Sequence, residues 1–236
     1  MSEYYEDKLS AEGLRKCYEI APPRIRRYLG AETSFVVKRM QGTRQVLELG
    51  CGYGRVMKRV AAHARFAVGC DTSRNSLRLA ERYMRPRRNF ALVCADASCL
   101  PFRAGAFGAV FCIQNGISAF GVGRQELVSE AIRVTKDGGQ ILFSSYSNGI
   151  WNDRLAWFRA QSEAGLIGEI DETRTGRGTI VCRDGFRATT VSRKEFERLF
   201  SGAGTSTRIR EIDGSSIFCL ARKRRGADSR RQSRRA

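Results

Sequence analysis

Short apolar runs alternate with helical periodicities along most of this chain. Residues 46–49, 66–70, 90–95, 107–113 and 139–146 are apolar-rich runs of strand length, and Gly, Asp or Asn punctuates their ends. Residues 55–65, 73–85 and 123–135 lie between them with apolar positions three and four apart, the spacing of helices with one buried face. Strands that alternate with helices predict a mostly parallel sheet with helices on both faces. Two helices precede the first strand, over 9–21 with Ser10 as its cap and over 24–39, separated by Pro22-Pro23. Beyond the fifth strand, residues 151–164 predict a helix carrying both tryptophans. Residues 179–182 and 186–191 predict a hairpin around Arg183-Asp184-Gly185. Ser192 opens a helix to about Phe200 with capping-box spacing, and strands 205–212 and 215–221 close the sheet around Asp213-Gly214. The expected fold is α/β, with seven strands in the main sheet.

The first strand leads into the most informative run, Val46-Leu47-Glu48-Leu49-Gly50-Cys51-Gly52-Tyr53-Gly54. Strand, glycine turn and helix in that order bring bare backbone against a ligand at the carboxyl end of a sheet strand. The third glycine comes one residue too early for the dinucleotide pattern Gly-x-Gly-x-x-Gly. Glu48 would repel a phosphate and is costly inside an apolar strand without a partner, so it suits a cationic ligand. Asp71 ends the second strand 21 residues after Gly50, where a carboxylate can accept from a ribose diol or cap the following helix. Asp96-Ala97 ends the third strand, and Gln114-Asn115-Gly116 ends the fourth.

This series resembles the class I S-adenosylmethionine-dependent methyltransferases, over roughly residues 43–145 and only loosely in the flanks. The resemblance implies a Rossmann-like fold and S-adenosyl-L-methionine as cofactor. The implied cofactor site is Glu48, Gly50, Gly52, Gly54, Asp71, Asp96, Ala97 and Gln114, with Asp96-Ala97 at the adenine. In similar enzymes N-terminal helices fold over the site as a lid, which makes Tyr4, Tyr5, Tyr18, Arg24 and Tyr28 candidates for closing it. The hairpin falls where the family varies its substrate pocket. Candidate wall residues are Asn115, Ser118, Phe120 and Tyr146, together with Asn148, Trp151, Asn152 and Arg187. The expected organisation is a helical lid over 1–42, a methyltransferase domain over 43–222 and a disordered basic tail over 223–236.

Composition narrows the setting. At 236 residues with 42% hydrophobic positions, the chain suits one globular domain. No run approaches a membrane span, and the first residues lack the basic start and apolar run of a signal peptide, so a cytoplasmic location is expected. The eight cysteines show no Cys-x-x-Cys pair, which argues against zinc and for packed thiols; those at 70, 94, 112 and 219 fall in strands. The lone His63 lies within the helix after the glycine turn, away from the strand ends, and no catalytic residue is assigned. The net charge is +18, of which residues 222–236 carry +7 and the remainder +11.

Two substrate classes follow. A small-molecule acceptor with a nitrogen, oxygen or sulfur nucleophile suits the compact size and the aromatic wall candidates. A nucleic-acid substrate suits the basic body, and the arginine-rich tail would touch nucleic acid weakly and in a salt-sensitive way. Gln114-Asn115-Gly116-Ile117 departs from the Asn-Pro-Pro-aromatic run of base-amine methyltransferases and has no Pro-Cys pair. A third reading is a non-catalytic cofactor-binding partner subunit.

Overall fold

The computed structural model describes residues 4, 8–85 and 87–225. Seven strands form one sheet: β1 (Gln45–Leu49), β2 (Phe66–Asp71), β3 (Phe90–Cys94), β4 (Phe107–Cys112), β5 (Thr135–Tyr146), β8 (Thr205–Ile212) and β9 (Ser216–Lys223). Their order is β3-β2-β1-β4-β5-β9-β8. The first five are mutually parallel, and β9 runs antiparallel between β5 and β8. All carboxyl ends of β1 to β5 therefore meet one rim, and the order reverses between β1 and β4, the usual place for a ligand.

Alternate residues of the strands feed two cores, as the pleat requires. Leu47, Leu49, Val110 and Cys112 face α5 (Arg124–Val134) and α7 (Arg193–Phe200), whose Leu127, Val128 and Phe196 complete that layer. Val46, Ala67, Ala109 and Phe111 face the other way. There they meet α2 (Pro23–Met40), α3 (Arg55–Val60) and α4 (Arg74–Met84) through residues such as Val36, Met57 and Leu77. This is the expected three-layer arrangement.

A third core forms over the rim. It joins α1 (Ala11–Glu19), the start of α2, α6 (Trp151–Glu163) and a small sheet of β6 (Ile180–Val181) with β7 (Arg187–Ala188), through Ile25, Trp157, Phe158, Ile180 and Phe186. The expected lid and hairpin insertion thus make a single cap. Tyr4 fastens its ends, donating to Asp184 Oδ2 at 2.7 Å.

Several boundaries moved. The helix after the glycine turn stops at Val60, because Gly42 N–H takes the His63 carbonyl and Arg65 N–H takes that of Thr43. β5 starts at Thr135 and absorbs Asp137-Gly138-Gly139 as a bulge, with Gly138 in the left-handed region that any other residue would resist. The hairpin pairs only two residues per strand. Ser10 stands at the cap of α1 without a side-chain cap bond, whereas Ser73 and Ser192 accept from Ser76 N–H and Glu195 N–H. Lys223, expected to open the tail, is the last residue of β9 and donates to the Thr135 carbonyl at 2.8 Å. The rest of the expected tail, from residue 226, lies outside the described residues. Cys94, expected among apolar neighbours, is exposed, as is Cys99; all eight thiols are free.

Candidate cofactor and acceptor site

One cavity opens at the rim between the carboxyl ends of β1, β2 and β4 and the cap. Glu48, Gly50, Gly52, Asp71 and Gln114 line it at the sheet end. Gly54, Asp96 and Ala97 do not.

The glycine turn is left-handed three times, at Gly50 (φ 69°), Gly52 (φ 51°) and Gly54 (φ 83°). Side chains adopt that region at a cost of about 1–2 kcal/mol per residue. Gly50 N–H and Cys51 N–H donate to the Cys70 carbonyl at 2.9 and 3.0 Å, which anchors the turn to β2. A Cβ on Gly54 would lie 3.2 Å from Met84 Sδ and 3.4 Å from Ala80 Cβ. That glycine therefore serves the packing of α3 on α4, away from the cavity. Over the other two the cap is close: a Cβ on Gly52 would meet Leu14 Cδ2 at 2.9 Å, and one on Gly50 would meet Phe120 Cζ at 3.1 Å.

Asp71 ties the turn to the next helix. Its Oδ2 accepts from Gly52 N–H at 2.8 Å and its Oδ1 from Ser73 N–H at 2.9 Å. The cap of the following helix is Ser73 itself, and Asp71 holds the backbone that leads into it. Asp96 stands farther along the rim, where Oδ1 accepts from Ser98 N–H and Oγ, both at 2.8 Å. Burial pushes its pKa up, and the Ser98 bonds outweigh that and hold it below the ordinary value.

Glu48 is the electrostatic centre. It is 5% exposed, and its Oε2 has no hydrogen-bond partner. Burial pushes its pKa up to about 8; Arg55 opposes the rise and Asp71 adds to it. The Arg55 guanidinium bonds to Gln114 Oε1 and lies 4.2 Å from the centre of the Tyr18 ring on α1. Lid, glycine-turn helix and the end of β4 therefore meet at one cation.

β4 ends in two successive left-handed residues that are not glycine, Gln114 (φ 57°) and Asn115 (φ 61°). Such a pair is strained, and strain held by its surroundings marks functional loops. Gln114 N–H donates to Glu32 Oε2 at 2.7 Å and to Ser144 Oγ at 2.8 Å. Asn115 holds the insertion, donating to the Thr189 carbonyl at 2.8 Å and accepting from Ser145 Oγ at 2.6 Å.

Some site residues escaped the sequence. Glu32 lies on α2 wholly buried, and burial pushes its carboxyl up to about 7 against the bonds from Ser144 and Gln114. Gln161 of α6 lines the cavity 2% exposed. Both carry the same signal, a polar residue inside an apolar stripe of helical spacing: Ile25, Leu29, Glu32 and Val36, and Trp157, Phe158 and Gln161. Of the lid candidates, Tyr18 reaches the cavity. Tyr28 is core, Arg24 pairs with Asp213 at 2.8 Å on the sheet's antiparallel end, and Tyr5 lies outside the described residues. Of the wall candidates, Asn115, Phe120 and Tyr146 line it. Ser118 accepts from Arg124, Asn148 and Trp151 border a second recess behind Tyr146, and Asn152 and Arg187 are exposed. His63 is exposed and off the rim. No cluster able to hold a metal occurs among the described residues, and none of their helices is long and apolar enough to cross a membrane.

Sheet order, rim and glycine turn define a scaffold of the class I S-adenosylmethionine-dependent methyltransferases. Residues 46–139 match the family model described as a methyltransferase domain. It is 33% identical over 133 residues to the malonyl-(acyl-carrier protein) O-methyltransferase of Legionella pneumophila, a match covering 54% of this chain and 45% of that protein. It is also 33% identical over 110 residues to the demethylmenaquinone methyltransferase of Beutenbergia cavernae, covering 45% of this chain and 42% of that one. The matches thus span less than half the length of these relatives. Among solved structures, a protein of Pyrococcus horikoshii OT3 superposes with a TM-score of 0.68 at 20% identity, over 95% of this chain and 100% of that one. The N-methyltransferase NodS of Bradyrhizobium japonicum, solved with S-adenosyl-L-homocysteine, gives 0.61 at 11% identity, over 92% and 99%. At these identities the likeness is one of fold.

Proposed function

We propose that this protein is an S-adenosyl-L-methionine-dependent methyltransferase acting on a nitrogen, oxygen or sulfur atom of a small molecule. The observation that carries the cofactor is Glu48: a buried carboxylate oxygen without a partner, in the same cavity as two left-handed glycines. Such a group is costly until a cation meets it. In this reading Gly50, Gly52 and Gln114 give the cofactor room, and Glu48 faces its positive end. Asp71, at the carboxyl end of β2 and in the lining of the same cavity, reaches its hydroxyls. Asp96 and Ala97 take the adenine end, and Gly54 shapes the turn. Leu14 and Phe120 must shift from their places over the turn for this to happen.

When bound, the cofactor supplies a methyl group on a sulfonium that leaves as a neutral thioether. The chain's part is to hold the acceptor in line and to keep water out, which the cap over the rim does. No side chain is assigned as a base. The two relatives, a malonyl-(acyl-carrier protein) O-methyltransferase and a demethylmenaquinone methyltransferase, support an acceptor other than nucleic acid. The proposed location is the cytoplasm, in keeping with eight free thiols.

Calorimetry with S-adenosylmethionine and with its demethylated product tests the cofactor, and heat from neither would end the proposal. Methyl transfer into a metabolite extract, followed by mass spectrometry, then finds the acceptor. Removal of residues 226–236 should leave that turnover unchanged, whereas a large salt-dependent loss would point to nucleic acid.

A further inference from the structure

Beyond Glu48 and Asp71 the cavity continues into the cap, and its chemistry changes there. The carboxylates and the guanidinium of its lining, Glu48, Asp71 and Arg55, all stand at the sheet end. The cap end is walled by Phe120, Tyr146, Trp157, Phe158, Phe186 and Ala188. The polar groups exposed along that wall are few, and most are already used. Both ends of the Asn115 amide are engaged, to Thr189 and Ser145. Trp157 Nε1 donates to the Cys17 carbonyl at 2.8 Å. The Cys17 thiol is pushed up to about 12 by burial, and burial likewise raises Tyr146, so neither supplies charge near neutrality.

Gln161 is different. It projects from the buried face of α6 beside Trp157 and Phe158, and its Nε2 is buried with no hydrogen-bond partner. An amide hydrogen-bonds through both its nitrogen and its oxygen, and a buried donor without an acceptor is unfavourable. The cap end is therefore an aromatic chamber with one neutral polar handle and no charged side chain in its lining; the buried Arg154 guanidinium lies behind the Tyr146 and Phe158 rings and donates to the Gly178 and Ala188 carbonyls. Charged ligands lose their hydration there without recompense, whereas a flat apolar molecule with one oxygen keeps its hydrogen bond.

We infer that the acceptor chamber takes a neutral, aromatic small molecule whose hydroxyl or carbonyl oxygen is bound by the side-chain amide of Gln161. The inference rests on the methyltransferase reading for the occupant's role and on the chamber walls for its chemistry. Gln161 would then determine specificity as a positioning residue.

Three matched probes test it with the full chain: naphthalene, 1-naphthol and 1-naphthoate, titrated by ligand-observed NMR with and without S-adenosylhomocysteine. In the wild type, 1-naphthol should bind roughly tenfold tighter than naphthalene, the worth of one hydrogen bond, and 1-naphthoate roughly tenfold or more weaker than 1-naphthol. Gln161→Leu, with Gln161→Ala as a second variant, should erase the advantage of 1-naphthol while leaving naphthalene within about twofold. Tight binding of 1-naphthoate, no binding of either neutral probe, or an unchanged preference in both variants would each overturn the inference. A calorimetric titration of S-adenosylhomocysteine on the same samples reports folding and separates the two readings. Loss of the probe pattern with cofactor binding intact defeats the chamber alone, and the reverse defeats the methyltransferase reading alone.

Discussion

Glu48→Gln tests the electrostatic core of the proposed site. In the protein alone the carboxyl is pushed up to about 8, so below that pH it mostly keeps its proton. A cationic ligand facing it requires the ionised form. At pH 6, two units below that value, removing the proton costs about 2.7 kcal/mol, or about a hundredfold in affinity. The glutamine is neutral throughout and carries no such cost. The quantity to measure is the ratio of dissociation constants for S-adenosylmethionine, Glu48→Gln over wild type, by calorimetry from pH 6 to 9. Titration of the ligand itself cancels in that ratio. Relative to its value at pH 6, the ratio should rise about fiftyfold by pH 8 and about ninetyfold by pH 9, where it levels, because the wild type gains an ionised partner that the variant lacks. S-adenosylhomocysteine, without the sulfonium, should show a smaller rise. A flat ratio across the range would refute the argument that the buried carboxylate faces the cofactor's charge.

Three further outcomes follow from the geometry. Asp71→Asn should weaken binding of the demethylated cofactor by about 1.5–3 kcal/mol, the range for a charged hydrogen bond, and lower the thermal midpoint, because Gly52 N–H and Ser73 N–H lose an ionised acceptor. Gly52→Ala should destabilise the fold by about 1–2 kcal/mol in urea unfolding, since φ is 51° there, and should push Leu14 off the turn. Glu32 is held protonated by burial, with a folded value of about 7 against 4.5 ordinarily, so the unfolded chain releases its proton first. Its stabilising effect is complete below pH 4.5 and is lost as pH rises to about 7. Glu32→Gln should remove about 2 kcal/mol of that decline, read as the difference between urea unfolding at pH 5 and pH 7.5.

Local patterns made the sheet legible. The runs beginning at Val46, Phe66, Phe90 and Phe107 became β1 to β4 within two residues, because strands buried on both faces read as continuous apolar runs. Glu48 stood out for the same reason, as a lone charge inside such a run. The less legible parts owe their form to contacts distant in sequence. Asp137-Gly138-Gly139 looked like a junction, yet neighbours in β4 and β9 draw it into β5. The hairpin shrank to two pairs because its partners are α6 and Tyr4 rather than its own strands.

By itself the amino-acid order determined the run of strands and helices, the left-handed glycine turn and the acids at three strand ends, since each depends on neighbours a few residues apart. Only the tertiary structure decided what those groups face. It set Gly54 against Met84 rather than the cavity, brought Glu32 to the end of β4 across 82 residues, and joined α1, α6 and the insertion into one cap. Burial is a property of what packs on top, and a residue's place in the chain does not specify that cover. For the same reason the sequence marks Gln161 as a polar residue in an apolar stripe, and only the structure shows Trp157, Phe158 and the insertion closing around it.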